Sequence, residues 1–191
     1  MEREIIRCEW VGSDDIYKKY HDEEWGKPVY DDRLLFEFLL LEGFQAGLSW
    51  ITVLKKRESI REAFDHFDYK KISQYTQEKM DRLLLNEGII RNKLKIKAAT
   101  TNAQKFMDVQ NEFGSFSNYL WNFVNHTPIC NHWETIKQVP ASTQLSDSIS
   151  KDLKKRGFKF VGTTIIYAFL QAVGVVNDHT LTCSFHPVNH Y

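Results

Sequence analysis

Two pairs of metal-ligating residue types stand near opposite ends of the chain. His179 and Cys183 are four apart, a spacing that on a helix sets both on one face, where they can grip one ion; Cys8 and His21 form a similar pair near the start. Together they make a Cys₂His₂ set suited to tetrahedral Zn²⁺ with no open position, which would be a structural zinc tying the two chain ends together. Cys130 with His132, His186 or His190 offers competing ligands.

The second signal is aromatic. Trp10, Tyr17, Tyr20, Trp25 and Trp50 all fall within the first fifty residues. Rings lining a cavity with a few polar tips are what a flipped nucleobase needs, because it is gripped by stacking and read along its edge; the alternative for any one ring is simple core packing. Glu42 ends a run, Leu34 to Leu41, in which only Glu37 is not apolar. A carboxylate there is either a solvated charge at a helix end or a buried acceptor with a functional reason to be present, and Glu37 competes for that role.

The third signal is LLLNEGIIRNKLKIKAATTNAQK. Gly88, as the C′ residue closing one helix, a short apolar turn through Ile90, and then Arg91, Lys93, Lys95, Lys97 and Lys105, with no acid between Glu87 and Asp108, would offer backbone N–H groups and positive charge to a phosphate backbone. A solvated basic helix face is the alternative.

Helices must position these residues. Apolar residues recur with helical period nearly throughout, broken by single Gly, Pro or Ser/Asp caps, which predicts an all-α fold. Asp14-Asp15 starts a helix through Tyr17, Tyr20 and His21. Asp32 caps a second, LLFEFLLLEGF, apolar almost all round and therefore central. Ser49 opens a third ending near Phe64, Thr76 a fourth, and Lys93 a long basic helix towards Glu112; Ser115, Ser146 and Gly162 begin three more. The run from Phe160 to Val176 suits two buried strands as well as a helix, and its length favours the helix.

With 191 residues, 42% hydrophobic and 26% charged, the chain has the composition of one globular domain, 1–191, without a linker or repeat. The formal charge of zero excludes a wholly basic, histone-like surface, yet residues 1–42 hold twelve acids against six bases, and 43–191 thirteen against nineteen. One face can thus meet a polyanion while another carries acids with a different task. Three cysteines do not make a disulfide framework, and neither a signal peptide nor an apolar run of spanning length is present, so a cytoplasmic protein without a membrane partner is expected.

RCEWV near the start, YHDEEWG at 20–26, LLLEGFQAGLSWITVLKKRE at 39–58, GIIRNKLKI at 88–96, WNFVNH at 121–126 and KKRGFKFVGTTIIYAFLQAVGVVNDH at 154–179 together resemble the 3-methyladenine DNA glycosylase I family, a branch of the helix-hairpin-helix glycosylases, over essentially the whole chain. The resemblance implies a helix-hairpin-helix at 76–105, and termini, about 1–25 and 175–191, joined by zinc through Cys8, His21, His179 and Cys183. It implies that Glu42, Tyr20 and Trp50 contact the extruded base, with Trp10, Tyr17 and Trp25 as neighbouring walls. Leu48 would fill the gap left in the duplex, with Gln45 and Gly47 close by, and Gly88, Ile90, Arg91 and Lys95 would meet the DNA. The implied enzyme releases 3-methyladenine from alkylated double-stranded DNA and leaves an abasic site uncut; a monomer is the separate expectation for its assembly. The catalytic Asp of the wider superfamily has no equivalent: Asp108 and Asp178 lie outside the usual setting. Two other classes are a non-catalytic helix-hairpin-helix DNA-binding module with structural zinc, against which the intact Glu42, Tyr20 and Trp50 set argues, and a zinc hydrolase, which would need an open coordination position.

Overall fold

A computed structural model describes residues 4–189. It is mostly helical: α1 (Asp15–Glu23), α2 (Asp32–Gln45), α3 (Trp50–Ala63), the short α4 (Tyr69–Ile72), α5 (Gln77–Leu84), α6 (Lys93–Phe113), α7 (Phe116–Asn122), α8 (Gln144–Lys155) and α9 (Thr163–Ala172). Two short strands, β1 (Ile129–Cys130) and β2 (Val176–Asn177), pair in parallel with Ile129 opposite Val176.

As its all-round apolarity predicts, α2 is the central element. Leu35, Phe36, Phe38, Leu41 and Phe44 are all buried, and α3, α6, α7 and α9 pack around it. Burying each such side chain is worth about 1.5–3 kcal/mol, which is what holds a glutamate in the last turn, Glu42, inside the protein. Its cap differs from expectation by one residue: Asp31 accepts from the Leu34 amide at 2.9 Å. Asp32 instead reaches across to the start of α7, accepting from the amides of Phe116 and Ser117 at 2.9 and 2.8 Å. A carboxylate satisfies free amides and meets the positive end of the dipole at either helix, so local spacing could not choose between the two.

Four other boundaries move. Helix α5 ends at Leu84 and not at Gly88, because Asn86 turns the chain by accepting from the Gly88 amide at 2.8 Å. Gly88 is needed for closeness: a Cβ there would lie 3.1 Å from Ser59 of α3. Thr143, with Ser146 at N3 in a reciprocal capping box, opens α8. The Phe160–Val176 run divides into α9 and β2 at Gly174, whose φ is +69° and whose missing Cβ would sit 2.2 Å from the Lys27 carbonyl carbon. His179 to Cys183 is a turn, not a helix, closed by the Cys183 amide donating to Thr180 O at 2.9 Å.

Candidate active site

Helix α1, capped by Asp14, places Tyr17 and Tyr20 one turn apart, so both look towards the end of α2. A cavity of about 380 Å³ opens there, in the size range of small-molecule sites. Trp10, Tyr17, Tyr20, Trp25, Glu42, Gln45 and Trp50 all line it. The structure thus brings together every sequence-expected pocket residue. Tyr20 and Trp50 rings stand 5.5 Å apart at 55°, and Trp10 packs edge-on against Tyr17 at 5.1 Å and Trp25 at 4.9 Å.

The two candidate carboxylates have opposite surroundings. Glu37 is held by Arg57 at 2.8 Å and Arg61 at 2.7 Å. Glu42 is 3% exposed, and burial alone pushes its carboxyl up to about 8, with no cation or hydrogen-bond donor offsetting the desolvation. Its charge raises Tyr17 and Tyr20 further, after burial, which is the larger cause for both phenols. Glu37 is a structural ion pair. Among the described residues Glu42 is an acceptor without a partner, in a cavity of rings.

The opposite wall was missed by sequence reasoning. Ile136, Val139, Pro140 and Ala141 contribute from the segment before α8, and Thr164, Tyr167 and Gln171 from α9. A signal existed for the latter: 164, 167 and 171 share one helical face, and Gln171 is a lone amide in an apolar helix. Asp108 is exposed, paired with Lys105 at 2.9 Å and absent from the cavity lining, while Asp178 is buried behind the α9 wall.

At the mouth, Gly47 (φ +81°) shapes a turn in which the Leu48 amide donates to Gln45 O at 2.7 Å and Gln45 Nε2 donates back to Leu48 O at 2.9 Å. Leu48 is left 39% exposed beside the pocket that Gln45 lines. Lys95 corrects an expectation. Its ammonium is turned inward and donates to the Phe44 and Ala46 carbonyls at 2.8 and 2.6 Å, and burial lowers its pKa. Those are the free carbonyls at the end of α2, where a cation is favoured, so Lys95 braces the loop that presents Leu48 and leaves the DNA contact to others. Arg91, Ile90 and Gly88 lie in the turn between α5 and α6, with Ile90 half-buried and Arg91 exposed, 4.0 Å from Glu87.

The four metal-ligand candidates converge. Cys8, His21, His179 and Cys183 are all buried, their ligand atoms within 4.8 Å of one another. Cys183 Sγ lies 3.4 Å from His179 Nδ1 and 3.5 Å from His21 Nε2, and Cys8 Sγ lies 3.6 Å from His179 Nδ1. Bond lengths of 2.3 and about 2.05 Å at a tetrahedral angle put S and N about 3.5 Å apart, so the spacing fits. The outer nitrogens are occupied: His21 Nδ1 by Asp22 at 2.7 Å and His179 Nε2 by the Trp25 carbonyl at 3.1 Å. Each imidazole thereby aims its other nitrogen inward, as a ligand must. His190 lies outside the described residues, but the rival group of Cys130, His132 and His186 is also close. There His186 takes the Val188 amide on Nδ1 at 3.2 Å and gives Nε2–H to Asn131 O at 2.9 Å, leaving no lone pair for an ion.

The family model for methyladenine glycosylase matches residues 10–186. A DNA-3-methyladenine glycosylase of Haemophilus influenzae is 51% identical over 177 residues, 93% of this chain and 96% of that one; DNA-3-methyladenine glycosylase 1 of Escherichia coli is 50% identical over 183, 96% and 98%. A solved structure of a 3-methyladenine DNA glycosylase I variant in complex with 3-methyladenine superposes with a TM-score of 0.92 at 37% identity, covering 95% of this chain and 97% of that one. A chain with this cavity, this buried Cys₂His₂ group and these matches over nearly its whole length belongs to the methyladenine glycosylase family.

Proposed function

We propose that this protein is a DNA-3-methyladenine glycosylase that extrudes the damaged nucleotide into the cavity beside Glu42, hydrolyses its glycosidic bond and leaves an abasic site. The observation that carries the reading is Glu42, a carboxylate without a partner among the described residues, buried among aromatic rings in a cavity large enough for a nucleobase. Alkylation at N3 leaves the adenine cationic and already a good leaving group. The protein then has to extrude the nucleotide, recognise the base and stabilise a cleavage whose barrier is lowered, without a strong acid or base of its own. Tyr20 and Trp50 stack on the base and gain a cation–π contribution that neutral adenine lacks. Glu42 accepts from the exocyclic amine or faces the cation with its charge. Among the described residues no lysine lines the cavity, which accords with a monofunctional enzyme that forms no Schiff base.

Incubating the protein with methylated DNA and identifying the released bases tests the reading; release of no base would sink it. Trp50→Ala removes one stacking platform and is expected to weaken binding of the flipped base by about 1–3 kcal/mol, read as a fall in kcat/KM on methylated DNA. DNA is held by the exposed Arg91 turn, with Leu48 filling the vacated stack. Affinity for duplex DNA should fall with salt with a logarithmic slope of about −0.9 per phosphate neutralised, and Arg91→Ala should lower it equally for all sequences. Affinity indifferent to salt would remove that turn from the interface.

Zinc is the ion we assign to Cys8, His21, His179 and Cys183, since two thiolates and two imidazoles at tetrahedral spacing suit it and leave no open position. Bound there, the ion would neutralise the thiolates of Cys8 and Cys183. It acts on the fold and not on the substrate, because the residues it joins carry the pocket: Cys8 precedes Trp10, and His21 follows Tyr20.

A further inference from the structure

Behind the α9 wall lies a carboxylate that the excision chemistry above does not use. Asp178 is fully buried, and four donors converge on it. Asn131 Nδ2 and Trp133 Nε1 reach Oδ1 at 2.7 and 2.8 Å, while Gln171 Nε2, at 2.8 Å, and the Tyr167 hydroxyl reach Oδ2. A carboxylate receiving two hydrogen bonds on each oxygen only accepts, so it decides which end of each partner is turned towards it. Two of those partners, Tyr167 and Gln171, line the cavity that also holds Glu42, Tyr20 and Trp50.

For Gln171 the consequence is directional. Its amide has a donor end and an acceptor end, and turning it over would press Oε1 against a carboxylate oxygen. With Nε2 tied to Asp178, Oε1 is the end left without a hydrogen bond among the described residues, on a side chain that lines the cavity. The hydroxyl hydrogen of Tyr167 is committed to Asp178 in the same way, leaving its lone pairs outward. This wall presents acceptors.

We infer that Asp178, by fixing the Gln171 amide with its oxygen towards the cavity, makes this wall select a base edge that donates a hydrogen bond, with Gln171 the specificity residue and Asp178 its positioning residue. The inference rests on the cavity being the site of the flipped base. A 6-amino purine brings an N–H to such a wall, whereas a 6-oxo purine such as 3-methylguanine brings an oxygen. Two facing acceptors leave both unpaired, and rejection of that kind discriminates far more strongly than a difference in shape.

The experiment measures how well free 3-methyladenine and free 3-methylguanine each inhibit base release from methylated DNA, and takes the ratio of the two inhibition constants. Gln171→Leu keeps the volume and removes the oxygen; the ratio should shift about tenfold against 3-methyladenine, through weaker 3-methyladenine binding. Asp178→Asn supplies an N–H in place of one oxygen, so Gln171 can turn over, and the ratio should move the same way in protein whose metal content and melting point are checked alongside. Where Asp178→Asn does not fold, Gln171→Leu decides. An unchanged ratio in folded, metal-loaded Gln171→Leu overturns the inference. If Trp50→Ala still damages excision in that case, the cavity remains the base site; if Trp50→Ala is also without effect, the reading of the cavity falls with it.

Discussion

Glu42→Gln should lower excision of 3-methyladenine by about 10²–10³-fold, the scale on which removing one preorganised electrostatic group acts, and yet leave measurable turnover, since the cationic base departs without an obligatory nucleophile. The substitution keeps the shape and one acceptor oxygen and deletes only the negative charge that the side chain can develop. Its pH dependence separates charge from shape. Burial pushes the Glu42 carboxyl up to about 8, so below that value the protonated form dominates in the empty pocket. If the ionised form faces the cationic base, kcat/KM should rise up to about tenfold per pH unit between roughly 6 and 8 and level off above, while Glu42→Gln should be flat over that range. Equal excision by wild type and Glu42→Gln, or loss of turnover in a folded Asp108 variant with Glu42 intact, would mean that the chemistry has been put on the wrong carboxylate.

The same group acts in the opposite direction on stability. Its folded pKa lies above the ordinary glutamate value of 4.5, so the protein binds this proton more tightly folded than unfolded. Stability from Glu42 is therefore fully present below pH 4.5 and is lost as pH rises through about 8. Glutamine has no charge to desolvate, so Glu42→Gln should melt higher than wild type at pH 8, by more than at pH 5. A residue whose replacement stabilises the fold and impairs turnover is held in place for function.

Much of the site was legible in the sequence because its parts are local. The all-round apolarity of Leu34–Leu41 announces a central helix and makes Glu42 conspicuous, and Tyr17, Tyr20 and His21 lie on one helix whose start Asp14 marks. What composition and spacing could not supply was direction. Lys95 reads as one of five basic residues after Gly88, and only its contact with the carbonyls at 44 and 46, some fifty residues away, shows that it points inward. Asp32 looks like a cap for its own helix and serves another. His179 and Cys183 come together by a turn where helical spacing was expected, so the spacing pointed to side chains that do meet although the local structure is different. The α9 wall was hidden for a related reason, since an apolar helix with one glutamine gives no sign of which face meets a cavity half of whose lining lies more than a hundred positions earlier.

Cys183→Ala should cost the protein its metal and several kcal/mol of stability. A structural zinc contributes its binding energy to folding, and a thiolate ligand is not replaced by the methyl of alanine. This chain has a core of its own around α2, so the loss should fall short of the complete unfolding seen in small metal-dependent domains. For a chain of this size about 4 kcal/mol corresponds to a fall of roughly 8–16 °C in Tm. The local effect should exceed the global one. The quartet joins the segment before Trp10 and the end of α1 to the turn after β2, and Trp10, Tyr17 and Tyr20 form one side of the cavity. Below the lowered Tm the folded fraction should therefore retain some excision with KM raised more than kcat is reduced, because the aromatic wall is loosened while Glu42, on α2, stays where the core holds it. Metal analysis, calorimetry and kinetics on one preparation make the test. A wild-type protein without metal, or a Cys183→Ala protein as stable as wild type, would take the ion out of the fold; loss of kcat with KM unchanged would place the quartet's influence on Glu42 and not on the rings.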